Sequence, residues 1–205
     1  MKEKKTIQIS CDDYSPLNFR MARLLKKYDL PAIFFIELRP HGVTETQVYN
    51  QIKELAKDFE IGSHTITHPM DMKLLDDERL RYEIKTSKIV IEELIGKKID
   101  WFCYPRGRYN QDIKNKIKEV GYKYARTTLV GNCTYPANDF AVETSIHCYP
   151  RKEYKGRDWL ELAKEYLLDE NTNYFHLWFH SWEIEKLGYW KKLEELFQVI
   201  RKEVK

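Results

Sequence analysis

Short apolar runs alternate with longer segments of helical periodicity along most of this 205-residue chain. Residues 6–11 alternate polar and apolar side chains, and residues 32–36 are apolar throughout, as in a strand buried on both faces. Residues 77–95 predict the clearest helix, because inward-facing positions recur every three or four residues. Such strand-then-helix units are typical of a parallel sheet with helices outside it. Further strands are predicted at 60–61, 101–104, 124–127, 140–143, 145–148 and 174–179, and further helices at 18–28, 47–59, 111–120, 157–168 and 188–204.

The number of these units favours one fold class. Seven or eight strand-helix units favour an α/β fold of the distorted (β/α)-barrel kind with parallel strands, and an open doubly wound sheet is the alternative. No Gly-x-Gly-x-x-Gly follows the first strand, so the sequence does not indicate dinucleotide binding. Because the chain contains no internal repeat and no Pro/Gly/Ser-rich linker, residues 1–205 are predicted to form a single domain.

Charge and cysteine patterns exclude several classes of protein. The 35 basic and 32 acidic residues nearly cancel and form no basic patch, so no nucleic-acid partner is expected. The segment from Met1 to Lys5 leads straight into the first strand with no signal peptide, and no segment is long enough to span a membrane; a cytoplasmic location is expected. The cysteines are widely spaced and are predicted to be reduced and mostly buried: Cys11, Cys103, Cys133 and Cys148.

A histidine pair is the first candidate functional site. His64 and His68 are four residues apart, so they share one helix face or one tight turn, and their imidazoles can converge on one ion. A carboxylate from the distant pair Asp12-Asp13 would complete two nitrogens and one oxygen, with a fourth position open for water. Such a set is typical of a catalytic zinc-type site. The alternative is that both are ordinary histidines on a helix surface or in the core.

The unusual polar residues follow the ends of predicted strands. Asp12-Asp13 follows the first strand, His64 and His68 the third, Arg106 the fourth and His180 the last. In a parallel barrel the loops after the strands open on one face, where active sites are built. Four segments that are distant in sequence are therefore predicted to meet in one cleft, which favours a metal-dependent catalytic site over ordinary histidines.

The same segments carry a family resemblance. From Ile7 to His180 the chain resembles the polysaccharide deacetylase family, also called the NodB-homology domain or carbohydrate esterase family 4. The resemblance implies a distorted (β/α) barrel, one divalent metal ion, usually zinc with cobalt or nickel as alternatives, and an N-acetylated sugar or glycan as substrate. The motifs that carry it are Ser10-Cys11-Asp12-Asp13, His64-Thr65-Ile66-Thr67-His68, Phe102-Cys103-Tyr104-Pro105-Arg106-Gly107 and Trp178-Phe179-His180.

The resemblance also implies roles for individual residues. Asp13, His64 and His68 would hold the metal, Asp12 would be the general base and His180 the general acid. The segment after the fourth strand would line the substrate groove, with the backbone N–H of Arg106 as an oxyanion donor and with Tyr104 and Trp178 at the substrate. The implied reaction is the removal of an N-acetyl group from an amino sugar or glycan. The alternatives are hydrolysis of another C–N amide bond on the same fold, and a catalytically inactive carbohydrate-binding module.

Two positions depart from the family pattern. Tyr14 stands where the family commonly has glycine after the aspartate pair. Cys103 stands where it commonly has an arginine that holds the catalytic aspartate, and a thiol cannot pair with a carboxylate as an arginine does. Either Arg106 or Arg108 compensates, or Asp12 is held differently.

The family's acid partner of the catalytic histidine has no clear equivalent in the sequence. Glu183, three residues beyond His180, is a candidate for that partner, and a solvent-facing role is the alternative. His147 and Arg151 are candidates for the substrate rim, because they lie in an irregular segment and loops often carry specificity.

Overall fold

Strands and helices alternate along the chain in the computed structural model, which describes residues 5–203. The strands are β1 (Thr6–Asp12), β2 (Ile33–Ile36), β3 (Glu60–Ser63), β4 (Trp101–Cys103), β5 (Tyr124–Arg126), β6 (Ile146–His147) and β7 (Tyr174–His180). The helices are α1 (Asn18–Lys27), α2 (Glu45–Leu55), α3 (Asp77–Arg81), α4 (Ser87–Ile95), α5 (Gln111–Val120), α6 (Trp159–Leu168), α7 (Ser181–Lys186) and α8 (Trp190–Glu203).

The described residues fall into two compact units. Residues 5–32, 129–136 and 143–203 form what we call the terminal unit, and Ile33–Thr128 with Ala137–Val142 form the central unit. The terminal unit contains β1, β6 and β7, and the central unit contains β2 to β5.

In the terminal unit, β1 and β7 pair in parallel over their whole length. The register runs from Thr6 beside Tyr174 to Asp12 beside His180, and β7 also pairs with β6. Most of β7 is buried, as its near-continuous apolar sequence predicts for a strand covered on both faces. The register therefore places Asp12 and His180 side by side where both strands end.

In the central unit, four strands pair in parallel in the order β2, β3, β4, β5. Helix α2 begins at a capping box formed by Thr44 and Gln47, which satisfies its first backbone N–H groups. Helix α5 ends at Gly121, the predicted stop, which adopts a left-handed conformation with φ 90°.

The predicted fold class, an α/β fold of the distorted (β/α)-barrel kind with seven or eight parallel strands, is confirmed, with seven strands in the described residues. The predicted strand at 140–143 is wrong: only Val142 pairs there, in a single bridge with Arg126. The predicted helix 77–95 is interrupted by a π-helical turn at Tyr82–Thr86. The predicted end of the last helix at residue 204 and the predictions on residues 1–4 lie outside the described residues, and the single domain stays a prediction.

The cysteine prediction is confirmed. Cys11, Cys103 and Cys148 are buried, Cys133 is half-buried, and none of the four forms a disulfide.

Between residues 5 and 203, no helix combines the length and the apolar composition that crossing a bilayer requires.

Candidate functional site

The first part of the candidate site lies where β1 ends in the terminal unit. Asp12 is buried as the last residue of β1, and Asp13 follows in a left-handed conformation with φ 68°. The Asn18 side chain donates to the Asp13 carbonyl at 2.9 Å, and Ser181 Oγ donates to Asn18 at 2.6 Å. Trp182 Nε1 donates to Oδ2 of Asp13 at 3.1 Å. The first residues of α1 and α7 thus fix the backbone and the carboxylate of Asp13.

His180 and Glu183 form a close pair at the end of β7. His180 Nδ1 lies 2.6 Å from Glu183 Oε2, and His180 Nε2 lies 3.6 Å from Asp13 Oδ2. Burial lowers the pKa of His180, but the hydrogen bond to Glu183 and the charges of Asp13 and Asp12 outweigh it, so the pKa is raised. Glu183 is therefore the acid partner of His180 and is buried rather than solvent-facing.

A second histidine shares the same carboxylate. His147 Nε2 lies 3.0 Å from Glu183 Oε2, its Nδ1 accepts from Arg151 at 3.3 Å, and its ring stacks on Trp178 with 3.6 Å between centroids. Because Nδ1 accepts from a guanidinium, Nε2 carries the proton that is donated to Glu183. Burial lowers the pKa of His147 to about 4, so its imidazole is neutral. His147 is thus buried and supports Glu183 rather than lying at the predicted substrate rim, and the predicted place of the half-buried Arg151 at that rim stays a prediction.

The side chains around Glu183 form a hydrogen-bonded cluster rather than a set of open metal ligands. His147, His180 and Glu183 offer donor atoms within 4.8 Å of one another. Both histidines already use the nitrogen that faces Glu183 for a hydrogen bond to its carboxylate. Burial raises the pKa of Glu183, but the hydrogen bonds from His147 and His180 outweigh it and lower the pKa to about 2, so the carboxylate is charged at neutral pH.

The second part of the candidate site is the loop of residues 64–68 in the central unit, which we call the histidine loop. It follows β3, and its two imidazole rings meet edge to face with 4.7 Å between the centroids of His64 and His68. Thr65 and His68 are both left-handed, with φ 73° and 50°, and His68 N donates to Thr65 Oγ1 at 3.0 Å. The pair therefore converges through a tight turn, one of the two geometries that the spacing allows.

The two imidazoles of the histidine loop offer nitrogens that suit two ligands of one metal ion. Buried His64 has its Nδ1 2.9 Å from the Cys103 carbonyl oxygen, so Nδ1 carries the proton and Nε2 holds the lone pair. Metal-ligating histidines commonly have such a carbonyl partner, which fixes the tautomer and the ring orientation. His64 and His68 offer ligand nitrogens within 4.8 Å of each other, as two ligands of one ion require.

The third part follows β4. Pro105–Gly107 forms a short helical turn in which Arg106 and Gly107 have φ values of 56° and 66°. Arg106 is exposed, whereas Tyr104 is fully buried and donates its hydroxyl to the Phe140 carbonyl at 2.9 Å. Trp178 in the terminal unit is also buried under His147. Of the three residues predicted at the substrate, Arg106 alone has an exposed side chain.

Cys103 lies beside Arg126 in the register between β4 and β5. The Arg126 side chain is fully buried, donates from Nη1 to the Thr127 carbonyl at 3.1 Å and lies over the Phe35 ring. Arg108 is turned to Asp71 at 3.3 Å on the exposed side of this segment. A buried guanidinium therefore occupies the strand next to Cys103, which the sequence analysis did not single out.

Sequence reasoning also missed Glu83, which lies beneath the histidine loop. It sits one position before Ile84 and four before Ser87, both on the predicted inward stripe of helix 77–95. An acidic residue on the inward face of a helix is uncommon unless it has buried partners, and that signal could have found it.

The model of a protein family described as polysaccharide deacetylase matches residues 1–125. Among curated proteins of Bacillus subtilis (strain 168), the putative polysaccharide deacetylase YxkH is 29% identical over 130 residues, which are 62% of this chain and 46% of that protein. The uncharacterized protein YlxY is 33% identical over 95 residues, 46% of this chain and 28% of that protein. The chain spans less than half the length of these two relatives.

Solved structures share the fold over almost the whole chain. The CE4 domain of a multidomain xylanase from the hindgut metagenome of Trinervitermes trinervoides has a TM-score of 0.67 and 15% identity, covering 97% of this chain and 84% of that one. BA3943 of Bacillus anthracis, described as a CE4 family pseudoenzyme, has a TM-score of 0.66 and 16% identity, covering 97% of this chain and 62% of that one. The Bc1960 peptidoglycan N-acetylglucosamine deacetylase has a TM-score of 0.66 and 16% identity, covering 97% and 84%.

Proposed function

This chain belongs to the polysaccharide deacetylase family, and we propose that it is a metal-dependent hydrolase that removes the N-acetyl group from an amino sugar or glycan. The observation that carries the proposal is the convergence of the His64 and His68 imidazoles, with Nδ1 of His64 held on the Cys103 carbonyl. Hydrolysis of the acetamide would give acetate and a free amine.

We propose Asp13, His64 and His68 as the ligands of one divalent ion, zinc first, with cobalt or nickel as alternatives. Two imidazole nitrogens and one carboxylate oxygen are typical of catalytic zinc sites, which keep a position open for water. When bound, such an ion supplies Lewis acidity, which polarises an amide carbonyl and lowers the pKa of water toward neutrality. The hydrogen bond from Trp182 to Asp13 supports this role, because ligating carboxylates are themselves hydrogen-bonded.

We propose Asp12 as the general base that takes a proton from the attacking water. Its burial at the end of β1 and its place beside His180 in the register support this role. A carboxylate accepts a proton only when ionised, and a nearby cationic group favours the ionised form.

His180 is the proposed general acid, which gives its proton to the departing amine. An amine leaves poorly unless it is protonated, so a positioned donor contributes strongly to the rate. The raised pKa of His180 supports this role, because it increases the fraction of imidazolium near neutral pH. Glu183 would orient the ring through Nδ1 and leave Nε2 to carry the transferred proton.

The substrate contacts that we propose centre on Arg106. Its backbone N–H is the proposed oxyanion donor, because a preorganised N–H stabilises the charge that develops in the transition state. Tyr104 and Trp178 are buried, so we propose that they support the groove from beneath rather than through exposed faces. A C–N amide other than acetamide on the same fold stays an alternative substrate.

A second candidate function is a carbohydrate-binding module without turnover. The observation that favours it is Cys103, which stands at the position of the family arginine, together with the likeness to BA3943, described as a pseudoenzyme. We give it second place because Asp12, Asp13, His64, His68 and His180 are all present.

A cytoplasmic location and the absence of a nucleic-acid partner stay predictions from the sequence.

Acetate release separates these candidates. The purified protein is loaded with zinc or cobalt and incubated with N-acetylglucosamine oligomers, and acetate is measured. We expect turnover by the wild type and a loss of about 100-fold or more in Asp12→Asn, whose amide cannot act as a base. The matched control is Asp100→Asn, which removes a carboxylate paired with Lys123 at the surface, and it should keep wild-type turnover. Sugar binding without turnover on any amide would favour the binding module.

A further inference from the structure

A fully buried carboxylate lies beneath the histidine loop in the central unit. Glu83 has no exposed surface, and it sits in the π-helical turn Tyr82–Thr86 between α3 and α4. A buried charge is tolerated only when hydrogen bonds and counter-charges compensate for the lost hydration. Single π-helical turns within helices are frequent at functional sites, so the partners of Glu83 are informative.

The carboxylate of Glu83 is hydrogen-bonded to the backbone of the histidine loop. Oε2 accepts from the backbone N–H groups of Ile66 at 2.8 Å and Thr67 at 2.9 Å. Oε1 accepts from the Thr67 hydroxyl at 2.6 Å and pairs with Arg79 at 2.9 Å. Three of these four contacts are therefore made to the two residues between Thr65 and His68.

The histidine loop needs such support because its backbone is not in a regular element. Thr65 and His68 hold left-handed conformations that are unfavourable for residues with a Cβ. Such conformations persist only where the surroundings over-determine them. Thr65 N donates to Ser63 Oγ at 3.2 Å, and Ser63 donates in turn to Ser87 at 2.7 Å, one turn beyond Glu83. The π-helical turn and the first residue of α4 thus brace the loop from one side.

We propose that Glu83 is a positioning residue for the metal: it holds the histidine loop in the shape in which His64 and His68 present their nitrogens to one ion. This inference rests on the proposed function, because it takes these two histidines as metal ligands. Glu83 does not touch the substrate or the reacting atoms. It acts through the peptide N–H groups of Ile66 and Thr67, and its place in the turn Tyr82–Thr86 brings its carboxylate within hydrogen-bond distance of them.

The test is Glu83→Gln, which keeps the size of the side chain but turns one acceptor oxygen into a donor. Two readouts are taken: zinc affinity by competition with a chromophoric chelator, and amide hydrogen exchange of Ile66 and Thr67 in the metal-free protein. We expect zinc affinity to fall about 10- to 100-fold, as for other outer-shell partners of ligands. Exchange of the two amides should rise at least about tenfold, because a neutral amide oxygen accepts more weakly than a carboxylate and the new NH2 group would face the Arg79 guanidinium.

The matched control is Glu92→Gln on α4. Glu92 is also a poorly exposed carboxylate that accepts from a backbone N–H, that of Ile99 at 3.1 Å, and pairs with Lys88 and Lys98. Within residues 5–203 the partners of Glu92 lie outside the histidine loop. Glu92→Gln should therefore lower the melting temperature like Glu83→Gln, while zinc affinity stays within about twofold of wild type. An equal loss of zinc affinity in both variants would assign a merely structural role to Glu83 and overturn the inference.

Two further outcomes separate this inference from the proposed function. If the wild type binds zinc and folded Glu83→Gln binds it equally well, the inference fails alone. If the wild type binds no zinc, the proposed metal site fails and the inference fails with it. If Glu83→Gln does not fold, Thr67→Val decides, because it removes the hydroxyl that donates to Glu83 and accepts from Arg79 at 3.4 Å. We expect it to weaken zinc binding about threefold or more, and unchanged binding would overturn the inference.

Discussion

Oε2 of Glu183 lies 2.6 Å from Nδ1 of His180, and the same oxygen lies 3.0 Å from His147 Nε2. One carboxylate oxygen thus accepts from two imidazoles. Because His147 is neutral and held by Arg151, its hydrogen bond fixes the direction of the Glu183 carboxylate. The carboxylate in turn selects the His180 tautomer and ring orientation. This chain therefore supplies the acid partner of His180 from α7, just after β7.

Replacing Glu183 should slow the reaction rather than weaken substrate binding. In Glu183→Gln, the neutral amide oxygen accepts more weakly than the carboxylate, and the side chain carries no charge to favour the imidazolium of His180. We expect kcat to fall about 10- to 100-fold with KM within about threefold, measured by acetate release. Glu185→Gln is the control, since this residue of the same helix pairs with Arg20 at a half-exposed site. A rise in KM with unchanged kcat would contradict the role of Glu183 in proton transfer.

Trp182 should contribute to metal affinity through its indole N–H. Trp182→Phe keeps an aromatic ring beside His180 but removes the donor to Asp13 Oδ2. We expect zinc affinity to fall about 3- to 10-fold by chelator competition, at the low end of the range for outer-shell contacts. Trp190→Phe removes an indole N–H that donates to Glu185 instead, and it should bind zinc like the wild type. Equal affinities in all three proteins would exclude this contribution.

The buried His147 predicts a stability change with pH. Its folded pKa of about 4 lies below the value near 6.5 of an exposed histidine, so the unfolded chain takes up a proton that the folded chain does not. Stability should therefore fall as the pH drops from about 6.5 to about 4. Compared with His147→Gln, whose amide can still donate to Glu183, the wild type should lose on the order of 1–3 kcal/mol more across this window.

Urea unfolding at pH 6.5 and pH 4 measures this difference. Because His180 and Glu183 are present in both proteins, their own contributions largely cancel in the comparison. Parallel pH profiles for the wild type and His147→Gln would show that His147 is not kept neutral by burial.

Gly107 should resist substitution more than an exposed left-handed glycine. Its φ is 66°, and an added Cβ would lie 2.1 Å from Thr128 Oγ1. Gly42 has a similar φ of 76°, but a Cβ there would meet nothing within 4 Å. We expect Gly107→Ala to reduce the free energy of unfolding by more than about 2 kcal/mol, and Gly42→Ala by about 1 kcal/mol, in urea unfolding. Equal losses would mean that the close approach to Thr128 is relaxed at little cost.

The pattern of apolar residues is informative where tertiary contacts agree with it. Residues 32–36 are apolar throughout, and Ile33–Ile36 forms a wholly buried strand, because both faces of a parallel strand are covered. The pattern is uninformative where the backbone is irregular at a side chain that makes long-range hydrogen bonds. Residues 77–95 read as one regular helix, yet Glu83 lies in a π-helical turn, and its carboxylate accepts from backbone N–H groups seventeen and sixteen residues earlier.

The candidate site shows the same difference between local contacts, which the sequence indicates, and long-range contacts, which it does not. Strand ends and the spacing of His64 and His68 are local in sequence, so the convergence of the two imidazoles could be anticipated, although the spacing left a helix face and a tight turn open. The contact of Glu183 with His180 is also local, because the two residues are three positions apart across the junction of β7 and α7. The contact of His147 with Glu183 spans 36 residues, and the neighbourhood of Cys103 and Arg126 depends on strand register. Neither leaves a periodic signal in a single sequence.

The metal content of the purified protein shows whether Asp13 and His64 hold a divalent ion. The apoprotein is dialysed against zinc, and bound zinc is measured by elemental analysis for the wild type, His64→Ala, Asp13→Asn and, as the control, His41→Ala at an exposed turn. We expect one zinc per chain for the wild type and for His41→Ala, and close to none for His64→Ala and Asp13→Asn at the same free zinc. A full equivalent of zinc retained by both His64→Ala and Asp13→Asn, or none bound by the wild type, would contradict the proposed metal site.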